Sequence, residues 1–241
     1  MGGDAAGSGA PSLQSSHVDP DALVLAGRRL RPDADDLPSP RFADDVWDLR
    51  AGHHLPNVEA NRLRIRFYVV DDPIWRLTAK EYLYARLTDA TLAEGRLPAI
   101  TTLMIEFNVL RALFAYLTEF YPGLRLADIE DDQILENFLT IRAVGVGARW
   151  KPQRRSGDAW SLMLLHRASD RLTADRLVHL PFRGRTAREI AGSRFYGENR
   201  TPRIPPEVLA PYLRGALFYV QVAANDILAA EKERQQLAES A

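Results

Sequence analysis

The chain has 241 residues, 46% of them hydrophobic, with 31 Lys or Arg against 32 Asp or Glu and a formal charge of −1. That length sets one or two domains with a real core, and the lack of cysteine excludes disulfides, thiolate metal sites and a thiol nucleophile while suiting a reducing, cytoplasmic setting. The best apolar run, 216–224, contains Gln221 and falls short of the roughly 20 residues of a membrane span; the Gly-, Ala-, Ser- and Asp-rich start lacks the basic and apolar regions of a secretion signal, so a soluble protein without a membrane partner is expected.

Residues 1–60 read as a flexible N-terminal arm. Residues 1–22 are too small and polar to offset the entropy of ordering. Between Pro32, Pro38, Pro40 and Pro56, the short apolar pieces Leu23–Leu25 and Val46–Leu49 are expected to lie on the domain behind them. His53 and His54 read as a solvated loop, because adjacent histidines rarely converge on one ion and no third ligand stands at metal spacing. No metal or cofactor is expected.

Residues 61–97 read as a strand plus a helix ahead of the core. Arg62, Arg64 and Arg66 alternate with Leu63, Ile65 and Phe67, the period of a strand, and would project from one side as a secondary set of phosphate contacts or as an edge kept soluble by charge. Pro73 opens a helix over about 74–87. The clearest helix spans 99–121: Ile100, Leu103, Phe107, Leu110, Phe114, Leu117 and Tyr121 recur every three or four residues, with Glu106, Asn108, Arg111 and Glu119 on other faces. A further helix is expected over 131–143, its acidic start matched to the helix dipole, then a joint at 144–147 and a helix from Ser156 or Asp158 to about Leu177. Residues 179–203 read as irregular, and Pro205-Pro206 opens a long helix to about 238 with a polar tail.

Charge is unevenly distributed along these elements. Residues 142–203 carry fourteen Lys or Arg against five Asp or Glu, a balance of +9, while 1–61, 62–141 and 204–241 come to −5, −3 and −2. The cations cluster beside Trp150, Trp160, Phe182, Phe195 and Tyr196, a mixture suited to a polyanion: cations displace condensed counterions and flat side chains fix position. The candidate contacts to double-stranded DNA are Arg142, Arg149, Lys151, Arg154, Arg155, Arg183, Arg185, Arg200 and Arg203. The alternative is an ordinary solvated surface.

The helix with Leu103, Leu110, Leu113-Phe114, Tyr116 and Leu117, then Leu126-Ala-Asp-Ile129, then a helix with Ile134 and Phe138-Leu139, resembles the core-binding half of tyrosine recombinases, the phage-integrase family. Asn199 to Pro211 followed by Tyr212 to Ala230, and Arg62 to Leu87, are similar to segments of long integrase-like proteins of actinobacteria. The resemblance covers about 60–235 and implies a mostly α-helical, SAM-like bundle that grips DNA, with a minor extended element before it and a long C-terminal helix after it. On this reading 98–203 is the core-binding-like domain with the basic segment, and 204–241 is the linker-type helix.

The family's catalytic half supplies a helix-borne arginine, a hairpin lysine, a His-x-x-Arg box and a tyrosine nucleophile. Here Arg167 follows His166 directly, His179 and Arg183 stand four apart, and no tyrosine follows Tyr219. The expectation is a DNA-gripping half that does not cut, either a truncated reading frame or a protein that acts alone. The runner-up is an interaction protein that pairs with itself or with a partner helix through residues 205–238.

Overall fold

The computed structural model describes residues 17–54, 58–93, 95–144, 147, 151–192 and 204–239. The chain forms two compact units, Met1–Arg194 and Phe195–Ala241.

In the first unit a two-stranded antiparallel sheet pairs β1 (Val46–Asp48) with β2 (Arg64–Arg66), placing Trp47 opposite Ile65. Both side chains are fully buried, so the alternation of β2 turns Arg64 and Arg66 to the opposite side. Helix α1 (Pro73–Thr88) starts where Asp72 accepts from the Ile74 and Trp75 amides at 2.8 and 3.2 Å, with Pro73 in a position that has no amide to satisfy. Helix α2 (Ile100–Phe120) is the core element; Leu103, Phe107, Leu110, Leu113, Phe114 and Leu117 are buried along it. Aromatic rings tie sheet and helices together: Trp47 meets Phe67 at 4.7 Å, Phe67 meets Phe107 at 5.4 Å, and Trp75 stacks on Phe114 at 5.1 Å.

Helix α3 (Asp132–Arg142) is capped by Asp131, and α4 (Lys151–Arg167) buries Ala159, Leu162, Leu164 and Leu165. The short α5 (Ala187–Ala191) has a reciprocal cap between Thr186 and Glu189 and ends on Gly192 at φ 61°, a conformation glycine takes without strain. Asp175 joins three segments: its carboxylate accepts from the Trp75 indole at 3.0 Å and from the Leu126 and Ala127 amides at 2.9 and 3.1 Å.

Several sequence expectations shift. Residues 23–54, read as part of a flexible arm, are integral to the core: Val24, Trp47 and Leu49 are fully buried and Phe42 nearly so. His53 is buried rather than solvated, while the His54 ring nitrogen lies 3.1 Å from the Arg29 carbonyl oxygen. Glu106, assigned to an outer face of α2, is buried and accepts from Tyr82 Oη at 2.9 Å and from Arg86 at 2.9 and 3.1 Å. The helix expected from 156 or 158 to 177 begins at Lys151 and ends at Arg167, followed by a 3₁₀ turn at Ser169–Arg171. Among the described residues α2, rather than 216–224, is the helix long and apolar enough to cross a bilayer. It serves as the central helix of the core.

The second unit comprises α6 (Pro206–Phe218), a wide π turn over Tyr219–Ala223, and α7 (Ala224–Glu239). The single helix expected over 205–238 is thus interrupted by a π segment, a local widening of the hydrogen-bond ladder. None of its described residues is buried.

Candidate nucleic-acid interface

Arg183 aside, the structure sorts the nine candidate DNA contacts into three groups. Arg149, Arg200 and Arg203 lie outside the described residues. Arg142 and Arg185 are engaged within the fold. Arg142 Nε stands 3.4 Å from Asp158 Oδ2, a carboxylate only 2% exposed; Arg185 pairs with Glu136 and donates from Nε to the Phe182 carbonyl at 3.2 Å. In the free chain these two are held in ion pairs with neighbouring helices. Arg183 is intermediate: its side chain is 87% exposed and its only carboxylate neighbour among the described residues is Asp132 Oδ2 at 3.7 Å.

Lys151, Arg154 and Arg155 form the third group, on the first turns of α4. Lys151 and Arg154 are exposed and Arg155 half-buried, and none has an ion pair among the described residues. Arg155 Nε is buried with no hydrogen-bond partner there. The placement runs against helix electrostatics. Free amides and the macrodipole make a helix start positive, so carboxylates belong there and cations cost stability; α4 has no acidic residue in its first turn. A phosphate at that position would meet the cations and the positive end of the helix dipole together.

Asp158 is the counterweight one turn further on. Burial pushes its carboxyl pKa up, and the opposing pull of Arg142 and Arg154 does not overcome that.

A cleft of about 350 Å³ lies beside α4, lined by Trp160, Met163, His166, Arg167, Leu180 and Arg185 among others. The Arg167 guanidinium sits 5.1 Å over the half-buried Trp160 ring, and His166 Nδ1 lies 3.1 Å from the Leu177 carbonyl oxygen. Arg167 was not singled out from the sequence; its spacing of seven from Trp160 places both on one helix face, a signal that was legible. Trp150, Phe195 and Tyr196, expected beside the cations, lie outside the described residues, and Phe182 is fully buried in the core rather than exposed to a ligand.

Backbone strain marks the edge of this region. Phe182 and Arg183 adopt φ 61° and φ 51°, left-handed values that cost a bulky residue of order 1–3 kcal/mol. Asp132 holds the turn, accepting from the Phe182 amide and lying 3.0 Å from His179 Nε2. No group of His, Asp and Glu among the described residues converges as a metal site.

Comparisons with known family models, curated proteins and solved structures return no match.

Proposed function

We propose that the chain is a duplex-DNA-binding module related to the DNA-gripping half of tyrosine recombinases, with a SAM-like arrangement of its helices and no strand cleavage of its own. The observation that carries the reading is the first turns of α4, where Lys151, Arg154 and Arg155 gather on a helix start without a carboxylate in its first turn. A stability-driven sequence avoids that arrangement, and a polyanion relieves it. The +9 balance of 142–203 inside an otherwise acidic chain supports the same reading, as does the exposed Arg183. Sequence-independent phosphate contact accounts for these features without any base-reading element.

The test of the cleavage half is a suicide duplex that traps phosphotyrosyl adducts, resolved on denaturing gels beside a mobility-shift assay. A salt-sensitive shift without a covalent adduct is expected. An adduct abolished by a single Tyr→Phe change would contradict it, because tyrosine attack on a phosphodiester needs several fixed donors around the developing charge.

A second reading draws on the second unit, where Tyr212, Val220 and Leu228 are 77%, 71% and 67% exposed. Apolar side chains displayed along a helix suit pairing with another helix, in a second copy or in a partner. Sedimentation over a range of concentrations tests it: a monomer throughout argues against self-pairing.

A further inference from the structure

A second cationic feature lies outside the basic stretch. Arg62, Arg64 and Arg66 follow one another at every second residue, and β2 sends Ile65 into the core, leaving its arginines on the other side. There they meet α2. A groove of about 350 Å³ is lined by Arg62, Arg64, Arg66 and Val69 from the strand side and by Met104, Phe107, Asn108 and Arg111 from the helix. The helix residues stand at spacings of three, four and seven, a single face of α2.

The electrostatics of this groove are unbalanced. The side chains of Arg66 and Arg111 have no hydrogen bond or ion pair among the described residues, while their backbones belong to β2 and α2. Among the described residues Arg62 pairs with Glu59 alone, at 3.2 Å, with both side chains at least 75% exposed, a pair that solvent screens. Arg64 donates to Asp48 Oδ2 at 2.9 Å, but that carboxylate also takes Arg50 at 2.8 Å. Among the described residues the groove lining holds four cations, Arg62, Arg64, Arg66 and Arg111, and no carboxylate; Asp48 and Glu59 pair with Arg64 and Arg62, and Asp71, Asp72 and Glu119 line a neighbouring cleft that Arg111 shares. Like charges crowded over the apolar floor of Met104 and Phe107 repel, and an anion relieves that repulsion.

We infer that this groove is a phosphate-binding site, in which guanidinium forks from the strand and from α2 hold the oxygens of one phosphate group, with the Asn108 amide beside them. Phosphate fits better than carboxylate. It presents more charge and more acceptor oxygens, and guanidinium groups arriving from two elements can each take a separate two-oxygen edge of a tetrahedral group, whereas a planar carboxylate offers a single such edge. The site does not depend on the DNA reading, since none of its residues belongs to 142–203. The phosphate comes either from a small phosphorylated molecule or from a nucleic-acid backbone.

The experiment uses the full chain with its arginine Nε–Hε resonances followed by NMR during titration with pyrophosphate, and separately with a short DNA duplex. Resonances of Arg66 and Arg111 are expected to shift saturably with pyrophosphate and to be unmoved by chloride at matched ionic strength. In the Arg66→Gln/Arg111→Gln variant, pyrophosphate affinity measured by calorimetry should fall about tenfold or more, with circular dichroism unchanged, because neither side chain is part of the core. The Lys151→Ser/Arg154→Ser/Arg155→Ser variant should bind pyrophosphate as the wild type does, so a loss confined to its DNA affinity speaks only to the α4 reading. A duplex that shifts the same resonances and is displaced by pyrophosphate identifies the phosphate as that of DNA; a response to pyrophosphate alone identifies a small phosphorylated ligand. Absence of a saturable shift, an equal response to chloride, or unchanged affinity in the Arg66→Gln/Arg111→Gln variant overturns the inference.

Discussion

Helices α2 and α4 pack into the same core, yet they treat charge in opposite ways. Along α2 the one buried carboxylate, Glu106, is matched by Tyr82 and Arg86 from α1, so its burial is compensated by charge-assisted hydrogen bonds. The later turns of α4 are of the same kind, with Ala159, Leu162 and Leu165 fully buried. Its first turns are not: three cations gather where the helix dipole disfavours them, and burial raises the pKa of Asp158. Where local electrostatics agrees with the fold, as along α2, stability accounts for the residues. Where it disagrees, at the start of α4, a ligand is the better account.

Replacing Glu106 by Gln gives the sharpest test of the α2 side. Arg86 is 3% exposed and would lose its counter-charge, so the variant should lose about 3–5 kcal/mol of stability by urea unfolding. A loss below about 1 kcal/mol would mean that the ion pair is replaced by water and that α2 is less well compensated than described. On the α4 side the effect is smaller and depends on pH. The folded-state pKa of Asp158 is raised, chiefly by burial, so its contribution to stability is fully present below the unfolded carboxyl pKa of about 3.9 and is lost as pH rises through the folded value. The difference in stability between Asp158→Asn and wild type should therefore move in favour of the variant as pH climbs from about 3 towards 7. A difference that is flat with pH would show that Asp158 is not strained by burial.

The smallest effect on stability is the most informative for function. Lys151→Glu/Arg154→Glu puts carboxylates at the start of α4 and should raise stability by about 0.3–1 kcal/mol per favourable charge while weakening DNA binding. A variant that is both less stable and equally able to bind DNA would break the contrast between the two helices.

How much of this was legible depended on whether the deciding partner was near in sequence. The apolar spacing of α2 and the Asp72-Pro73 start of α1 are local signals, and both helices lie within a residue or two of expectation. The start of α4 was misplaced because Ser156 and Asp158 look like caps, whereas Pro152 is tolerated in a first turn and Asp158 is buried against Arg142. A helical projection assigns Glu106 to an outer face; the partner that draws it inward, Arg86, is 20 residues away on another helix. The alternation of Arg62, Arg64 and Arg66 reads as one strand stripe, but the strand holds only Arg64 and Arg66, Arg62 lies in a 3₁₀ turn, and Arg111 joins them only through the packing of β2 against α2. For the same reason Arg142 and Arg185 read as free cations, since their partners Asp158 and Glu136 are acids of neighbouring helices.

The central claim is that the start of α4 holds DNA through its phosphates, and fluorescence anisotropy of a labelled duplex across a series of salt concentrations tests it most directly. The wild type should bind with log K falling linearly against log salt, and Lys151→Ser/Arg154→Ser/Arg155→Ser should bind more weakly with a slope flatter by up to about 0.9 for each lost contact. An unchanged slope in the variant, or no salt-sensitive binding by the wild type, would contradict it.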